Sequence, residues 1–536
     1  MALCMGLLAS HALAGQWHDG RAFTRASFAD GRPRAESWRN TDASPGNGET
    51  TRAAAPLVND ASSPRLSDGR GSLSRIPARV MDAAVREPAT YEAVPPIPNE
   101  APWLAVLKAL TIAIMALVGV YACRHYVFTL SRLYGRQSAP YRDIHVAHWP
   151  QLTVFVAAHN EEAVVADCLE ALLASTYPHD RLTIVPVNDR STDGTAQVID
   201  RVAASALHLV RPFHRNGGKP GKAAALQDAL EFMEGDLLIV FDADYLPRPG
   251  LLKELVAPFF DPEVGAVMGR VVPQNAGANL LSRLLDLERS GGYQVDQQAR
   301  MNLDLVPQYG GTVGGIRKSA LDAAGGWQCD TLAEDTDMTY RLMLSGWKTA
   351  YLNYAECYEE VPETWAVRTR QLMRWAKGHD QTMFRCVLKQ LFKRKIAAGR
   401  RVDGTLLLGV FVMPVVLLLG WISAAVLYLF DGAHPLFVGL LITVLATFSF
   451  CVFGNFGVFF QIAVASRLDG NASRIRLMPF NFVGFAVTMA STTRALWSLA
   501  ADKLLSRELK WDKTVRFRHA TARQPDIEPS SSRQVS

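Results

Sequence analysis

LLIVFDAD, Leu237 to Asp244, decides how the rest of this chain is read. An unbroken apolar run, Leu237 to Phe241, ends abruptly in two carboxylates one residue apart, the pattern of a buried strand that delivers its end into a cleft. In a strand, residues i and i+2 point the same way, so Asp242 and Asp244 can offer oxygens to one hard cation. Such a pair suits Mg²⁺ or Mn²⁺ held against a phosphate. Two acidic residues that only open a loop would look the same in isolation, so the neighbouring segments have to decide.

Upstream, QLTVFVAA (Gln151 to Ala158) reads as a strand. It is followed by the polar turn His159 to Glu162 and a helix over roughly 162–175. RLTIVPV (Arg181 to Val187) is a second strand ending at Asn188 and Asp189, with another helix starting near Thr195. This alternation predicts a mostly parallel sheet with helices on both faces, in which ligands bind beyond the strands' carboxyl ends. Asp189 then either accepts from a base or ribose donor of a nucleotide or caps the turn that follows it. HRNGGKPGKAAAL places Lys219 and Lys222 in a glycine-rich turn entering a helix, where backbone donors and a cation meet near phosphate. Neither GxxxxGK[ST] nor GxGxxG is present, which excludes a P-loop and a dinucleotide fingerprint.

Downstream, a helix begins within Pro247 to Phe260, GAVMGRVV (Gly265 to Val272) is a further strand, and residues 280–304 form a long amphipathic stretch. In YGGTVGGIRKSAL (Tyr309 to Leu321) the glycines allow backbone close to a bulky ligand and Thr312 offers a hydroxyl; a connector would use the same residues. LAEDTDMTYRL puts Glu334 and Asp335 at the front of a helix, where the dipole favours negative charge and where a carboxylate can also take a proton from an acceptor hydroxyl. In QLMRWAKG, offsets of three and four set Gln371, Arg374 and Trp375 on one helical face. Arginine can fork onto a phosphate and an indole can stack on a sugar. The surrounding run, through FRCVLKQLFKRK, also suits a basic helix lying on a membrane.

The chain has 536 residues and a formal charge of +5, too small to call for nucleic acid. Its seven cysteines show no CxxC or metal-ligand spacing, which predicts a reduced compartment without a disulfide framework. Residues 1–100, rich in Ala, Pro, Arg, Ser, Gly and Asp, are expected to be disordered. Residues 101–130 predict a transmembrane helix. Within 405–500, Thr405 to Phe430 and Gly432 to Ser466 are long enough to span, and Met478 to Ala500, which holds Arg494, is expected to lie at the interface. Flanking Lys and Arg place residues 145–400 and the tail, 501–536, on the cytoplasmic side of a multi-pass inner-membrane protein.

Asp189, DAD at 242–244, AED at 333–335 and QLMRW at 371–375 together resemble the D, DxD, (T)ED and Q(Q/R)xRW pattern of the membrane-embedded processive family 2 glycosyltransferases, such as the cellulose, chitin and hyaluronan synthases. The resemblance covers about residues 145–400 and implies a GT-A-like α/β fold. It also implies a UDP-sugar donor and inverting transfer to a growing β-linked polysaccharide, with UDP-glucose the first choice of donor and UDP-N-acetylglucosamine the second. By the same resemblance Asp189 contacts uracil, and Asp242, Lys222, Gln371 and Arg374 hold the nucleotide and diphosphate. Asp244 takes the metal, Asp335 is the general base, and Thr312, Glu334 and Trp375 face the acceptor. WDKT at 511–514 resembles the family's segment after its last membrane helices. Departures are Asn188-Asp189-Arg190 in place of two aspartates and a glycine, Ala333 in place of threonine, and Tyr309 to Thr312 in place of the acceptor loop typical of cellulose synthases. Transfer of a single sugar to a lipid or glycolipid acceptor stands as the other enzyme reading, and a homo-oligomer would supplement a sparse channel.

Overall fold

The computed structural model describes residues 101–142, 144, 146, 148–430, 436, 438–441 and 455–505, all within the second of two units that divide after Glu92. The expectations for residues 1–100, for the tail beyond 505, for WDKT and for most of Gly432 to Ser466 lie outside the described residues.

An apolar helix, α1 (Pro102–Tyr134), precedes the sheet. Alternating βα units follow: β1 (Leu152–Ala158), α2 (Val165–Leu173), β2 (Leu182–Asp189), α3 (Thr195–Ser205), β3 (Phe213–Arg215), α4 (Lys222–Asp228) and β4 (Leu237–Asp242). After β4 come the two-residue β5 (Leu246–Pro247), α5 (Leu251–Val256) and β6 (Val264–Pro273). A long bent helix then runs as α6 (Leu280–Ser290), a π turn over Gly291–Gln297, and α7 (Gln298–Asn302). The domain closes with β7 (Gly314–Arg317), α8 (Lys318–Ala323), α9 (Glu334–Leu344), β8 (Lys348–Glu359) and α10 (Trp365–Phe392).

The eight strands form one sheet in the order β3-β2-β1-β4-β7-β6-β8-β5. From β3 to β4 every pairing is parallel, as the βα alternation requires. The expectation of a mostly parallel sheet needs correcting beyond β4. There β7 runs antiparallel to both β4 and β6, β8 returns parallel to β6, and β5 pairs antiparallel with β8, so the sheet is mixed. β7 is short and half glycine, which hides a strand in the sequence: Gly314 lies against the Tyr309 ring and Gly315 against Phe259, leaving no space for larger side chains.

Both faces of the sheet are covered. Leu152, Val154 and Val156 of β1 pack with α2, α3 and α5 through Leu169, Ile199 and Leu255, while Phe155, pointing the other way, packs with α4, α8 and α9 through Leu226, Leu321 and Met338. A sheet so covered has its free polar edge at the strand ends, and that is where the site lies.

Beyond α10 come α11 (Ala398–Leu408), α12 (Met413–Phe430), α13 (Asn455–Leu468) and α14 (Asn481–Leu504). The expected continuous span over 405–430 is broken at Gly409 to Val412, because Pro414 supplies no backbone N–H and starts a new helix. Among the described residues two helices, α1 and α12, are long and apolar enough to cross a membrane. The first of these, α1, and the short α11 meet the bent helix of the sheet domain through a closed ring of ion pairs. Arg124 of α1 bridges Asp296 (3.2 Å) and Asp403 (2.8 Å), and Arg300 bridges the same two carboxylates (2.8 and 3.1 Å). At the start of the π turn, Gln461 of α13 donates to the Gly291 carbonyl at 2.9 Å.

Candidate active site

A cavity of about 550 Å³ opens at the ends of β1, β2 and β4, and its walls include Asp189, Lys222, Asp242, Asp244, Thr312, Glu334, Asp335, Gln371, Arg374 and Trp375. These ten residues, each given a role in the sequence, are brought together from six separate segments, whereas Lys219 of the glycine-rich turn does not line the cavity.

On the strand wall, Asp189 ends β2. Its Oδ1 accepts from Arg190 Nε and Arg215 Nη1, both at 2.9 Å, and its Oδ2 from Arg190 Nη2 and Gly221 N, both at 3.2 Å. Burial pushes this carboxyl up, but the bonds from Arg190, Arg215 and Gly221 outweigh it and hold the group below its ordinary range. Asp189 thereby ties the strand end to the glycine-rich turn. Arg215 tightens the same turn by donating to Asp228 (2.6 Å) and to the Lys219 carbonyl (2.7 Å).

Lys222 opens α4, and its Nζ meets Asp242 Oδ1 at 2.6 Å and the Gly311 carbonyl at 2.8 Å. Burial alone would lower its proton affinity; Asp242 and then Glu334 reverse this, so the ammonium stays charged. The Asp242 backbone N–H donates to Thr312 Oγ1 at 3.1 Å. The Thr312 hydroxyl expected at the acceptor therefore also fixes the strand end. Asp244 is buried, with the Glu360 N–H directed to its Oδ2 at 3.5 Å. Among the described residues no three of His, Cys, Asp and Glu form a closed metal cage. Two carboxylates on one rim still fit Mg²⁺ or Mn²⁺, which in nucleotide sites takes one or two carboxylates and completes its shell with phosphate and water.

On the helix wall, Ala333 gives α9 no side-chain cap, and Glu334, Asp335 and Asp337 fill its first turn, complementing the dipole. Asp335 Oδ1 accepts from the Thr336 N–H at 2.6 Å. Burial nevertheless raises its carboxyl above the ordinary aspartate range, and Glu334 is raised by burial and by Asp335 beside it. Two glycines make this wall. Gly311, at φ +69°, lies so near that a Cβ would come 3.0 Å from the Asp335 Cβ, and a Cβ on Gly378 would come 2.5 Å from Ala333. The first brings the Tyr309–Leu321 segment against the acid, and the second seats α10 on the head of α9. At these two positions the close approach is to protein.

Thr364 caps α10 by accepting from Val367 N. Arg368, forked onto Glu288 at 2.6 and 2.7 Å, donates to Gln371 Oε1 at 2.8 Å. The guanidinium carbons of Arg289 and Arg368 each lie 5.2 Å from the Trp375 ring centre, which orients the indole. Sequence reasoning missed Arg289, Tyr293, Asp296 and Arg300, a row along the bent helix, and His379, one turn after Trp375; all line the cavity. Helical spacing from the recognised motif was the available signal for His379.

Residues 150–378 match the family described as glycosyltransferase like family 2. A probable glycosyltransferase of Bacillus subtilis, YdaM, is 30% identical over 379 residues, covering 69% of this chain and 87% of the relative. The chain belongs to glycosyltransferase family 2. A second relative of this family 2 glycosyltransferase, the beta-monoglucosyldiacylglycerol synthase of Synechocystis, is 33% identical over 239 residues, 45% of this chain and 50% of its own length. Among solved structures, the mannosyltransferase PcManGT of Pyrobaculum calidifontis, in complex with GDP-Man and Mn²⁺, aligns over 68% of this chain and 97% of its own at 22% identity, with a TM-score of 0.49. Family membership makes glycosyl transfer from a nucleotide-sugar donor the chemistry to be fitted to this cavity.

Proposed function

We propose that this glycosyltransferase moves a hexosyl unit, with inversion, from a UDP-sugar to a sugar hydroxyl carried by a polysaccharide end or a glycolipid at the cytoplasmic face of a membrane. The observation that carries this reading is the convergence of Asp189, Lys222, Asp242, Asp244, Asp335 and the Gln371–Arg374–Trp375 face on one cavity. Asp189 and its arginines order the turn that receives the nucleotide, and Lys222 and Arg374 face the diphosphate. Asp242 and Asp244 would hold Mg²⁺ or Mn²⁺, which when bound offsets charge on the leaving diphosphate. Asp335, with raised proton affinity, accepts the proton of the attacking hydroxyl, while Trp375, Glu334 and Thr312 bound the acceptor's space. UDP-glucose is the donor of first choice and UDP-N-acetylglucosamine the second.

One observation favours the glycolipid as acceptor: the cavity wall reaches Val410 and Phe411, in the break immediately before the membrane-length helix α12. A lipid-borne sugar would enter there with its chains in the bilayer. Extension of a β-linked polymer is supported by the order and spacing of the four motifs.

The test is to supply purified protein in detergent or vesicles with Mg²⁺ or Mn²⁺ and each common UDP-sugar, following UDP release and product length, with Asp335→Asn as control. A long polymer from one donor supports the polysaccharide reading, a single-sugar addition to lipid supports the glycolipid reading, and product formation equal in Asp335→Asn overturns both.

A further inference from the structure

Within the helix wall, His379 has one ring nitrogen in use and one without a partner. Its Nε2 lies 3.0 Å from Thr336 Oγ1 and 3.4 Å from Gln308 Nε2, whereas Nδ1 has no hydrogen-bond partner although the residue is only 8% exposed. Thr336 also donates its backbone N–H to Asp335 Oδ1, and its hydroxyl lies 3.4 Å from the same oxygen. The imidazole is therefore one hydroxyl away from the acid that takes the proton. Phe411 stands edge-on to the ring, centres 4.7 Å apart, and Val410, Leu332 and Ala333 line the cavity with it.

We propose that His379 Nδ1 binds a non-reacting hydroxyl of the acceptor sugar, next to the hydroxyl that Asp335 activates. A buried polar atom in a cavity wall calls for a partner from the ligand, because left unmatched it loses the hydrogen bond it had with water. Burial lowers the ring's proton affinity to a pKa of about 4, so the imidazole is neutral at physiological pH. With Nε2 facing Thr336, Nδ1 is either an N–H or a lone pair according to the tautomer. A phosphate oxygen matches only the first and a cation only the second. A hydroxyl, both donor and acceptor, matches either. The apolar neighbours suit the carbon face of a sugar ring and carry no cation to attract the donor's diphosphate.

This inference rests on the proposed glycosyl transfer to a sugar hydroxyl and narrows the acceptor to one with at least two hydroxyls. The probes are an alkyl β-glucoside, a β-glucan oligosaccharide and the monodeoxy forms of the alkyl glucoside, with wild type, His379→Phe, His379→Asn and Asp335→Asn in detergent. The expected result is an acceptor KM roughly tenfold higher in His379→Phe with donor KM and UDP binding within about twofold. Recovery is expected in His379→Asn, whose amide reaches the Nδ1 position, and one monodeoxy acceptor should no longer distinguish wild type from His379→Phe. An unchanged acceptor KM in a folded His379→Phe, an equal rise in donor KM, or full discrimination against every monodeoxy acceptor overturns the assignment. Failure of the parent reading looks different: wild type then shows no Asp335-dependent transfer to either acceptor from any nucleotide sugar, and the His379 assignment falls with it.

Discussion

Across the cavity, Asp189 on the strand wall and Asp335 on the helix wall are both aspartates at the end of a regular element, and the protein treats them oppositely. Asp189 has two guanidinium groups and a backbone N–H on its two oxygens and is held ionised below its ordinary range. Asp335 has Thr336 for its close donor, a neighbouring Glu334, and a burial that raises its proton affinity. The comparison teaches that the same side chain is held ionised where guanidinium groups surround it and has its proton affinity raised where burial outweighs its donors. Lys222, between them, belongs to the strand wall by its contact with Asp242 and influences Asp335 through its charge.

Asp335→Asn should break the comparison most sharply. Transfer should fall by about a thousandfold, within the range for loss of a positioned base, while UDP affinity measured by calorimetry stays near wild type. In the wild type the proposed base must be ionised to act and its carboxyl is raised by burial, so the acid limb of the rate against pH should lie above the ordinary aspartate range, with activity gained as pH rises through it. Lys222→Met should act on the other wall: loss of a charged contact of about 2 kcal/mol predicts a roughly 30-fold rise in donor KM, and because the Lys222 charge lowers the Asp335 carboxyl, the acid limb should move to higher pH in this variant. Thr312→Ala removes the acceptor for the Asp242 N–H and should raise donor KM about fivefold, near 1 kcal/mol, seen in the same assay.

The smallest effect concerns stability. Asp380 is buried and its pKa is raised by burial to about 7, whereas unfolded it titrates near an ordinary aspartate. Between those values the folded state holds a proton the unfolded state has lost, so stability falls as pH rises. Asp380→Asn should raise Tm by a few degrees at pH 8 and leave it nearly unchanged at pH 4, measured by thermal unfolding.

The strand wall was legible because its signals are local. An apolar run ending in acids marks a buried strand end, and the glycine-rich turn precedes its helix in the same few residues, with Gly221 at φ +116° directly before α4. On the helix wall, the 3.6-residue period was enough to align Gln371, Arg374 and Trp375. What stayed hidden depends on partners far along the chain. The antiparallel β7 is glycine-rich because Tyr309 and Phe259 occupy its side-chain space. The break at Gly409 to Val412 is different, because its cause is local: Pro414 stands inside an otherwise spanning apolar run. Helical spacing could have placed His379 on the motif's face, but its link to Asp335 runs through Thr336, a residue of another helix.

The ring of Arg124, Asp296, Arg300 and Asp403 has a consequence for the chemistry it borders. Two cations and two anions alternating at 2.8 to 3.2 Å carry no net charge, and their fields oppose one another pair by pair, as in a quadrupole. The potential of such an arrangement fades with distance far faster than that of a lone ion. The apolar helix α1 is thus clasped to the cavity floor by four full charges while their combined field at Asp335 is small. Deleting any one member would leave an odd charge in the floor, and the fastening would become an electrode.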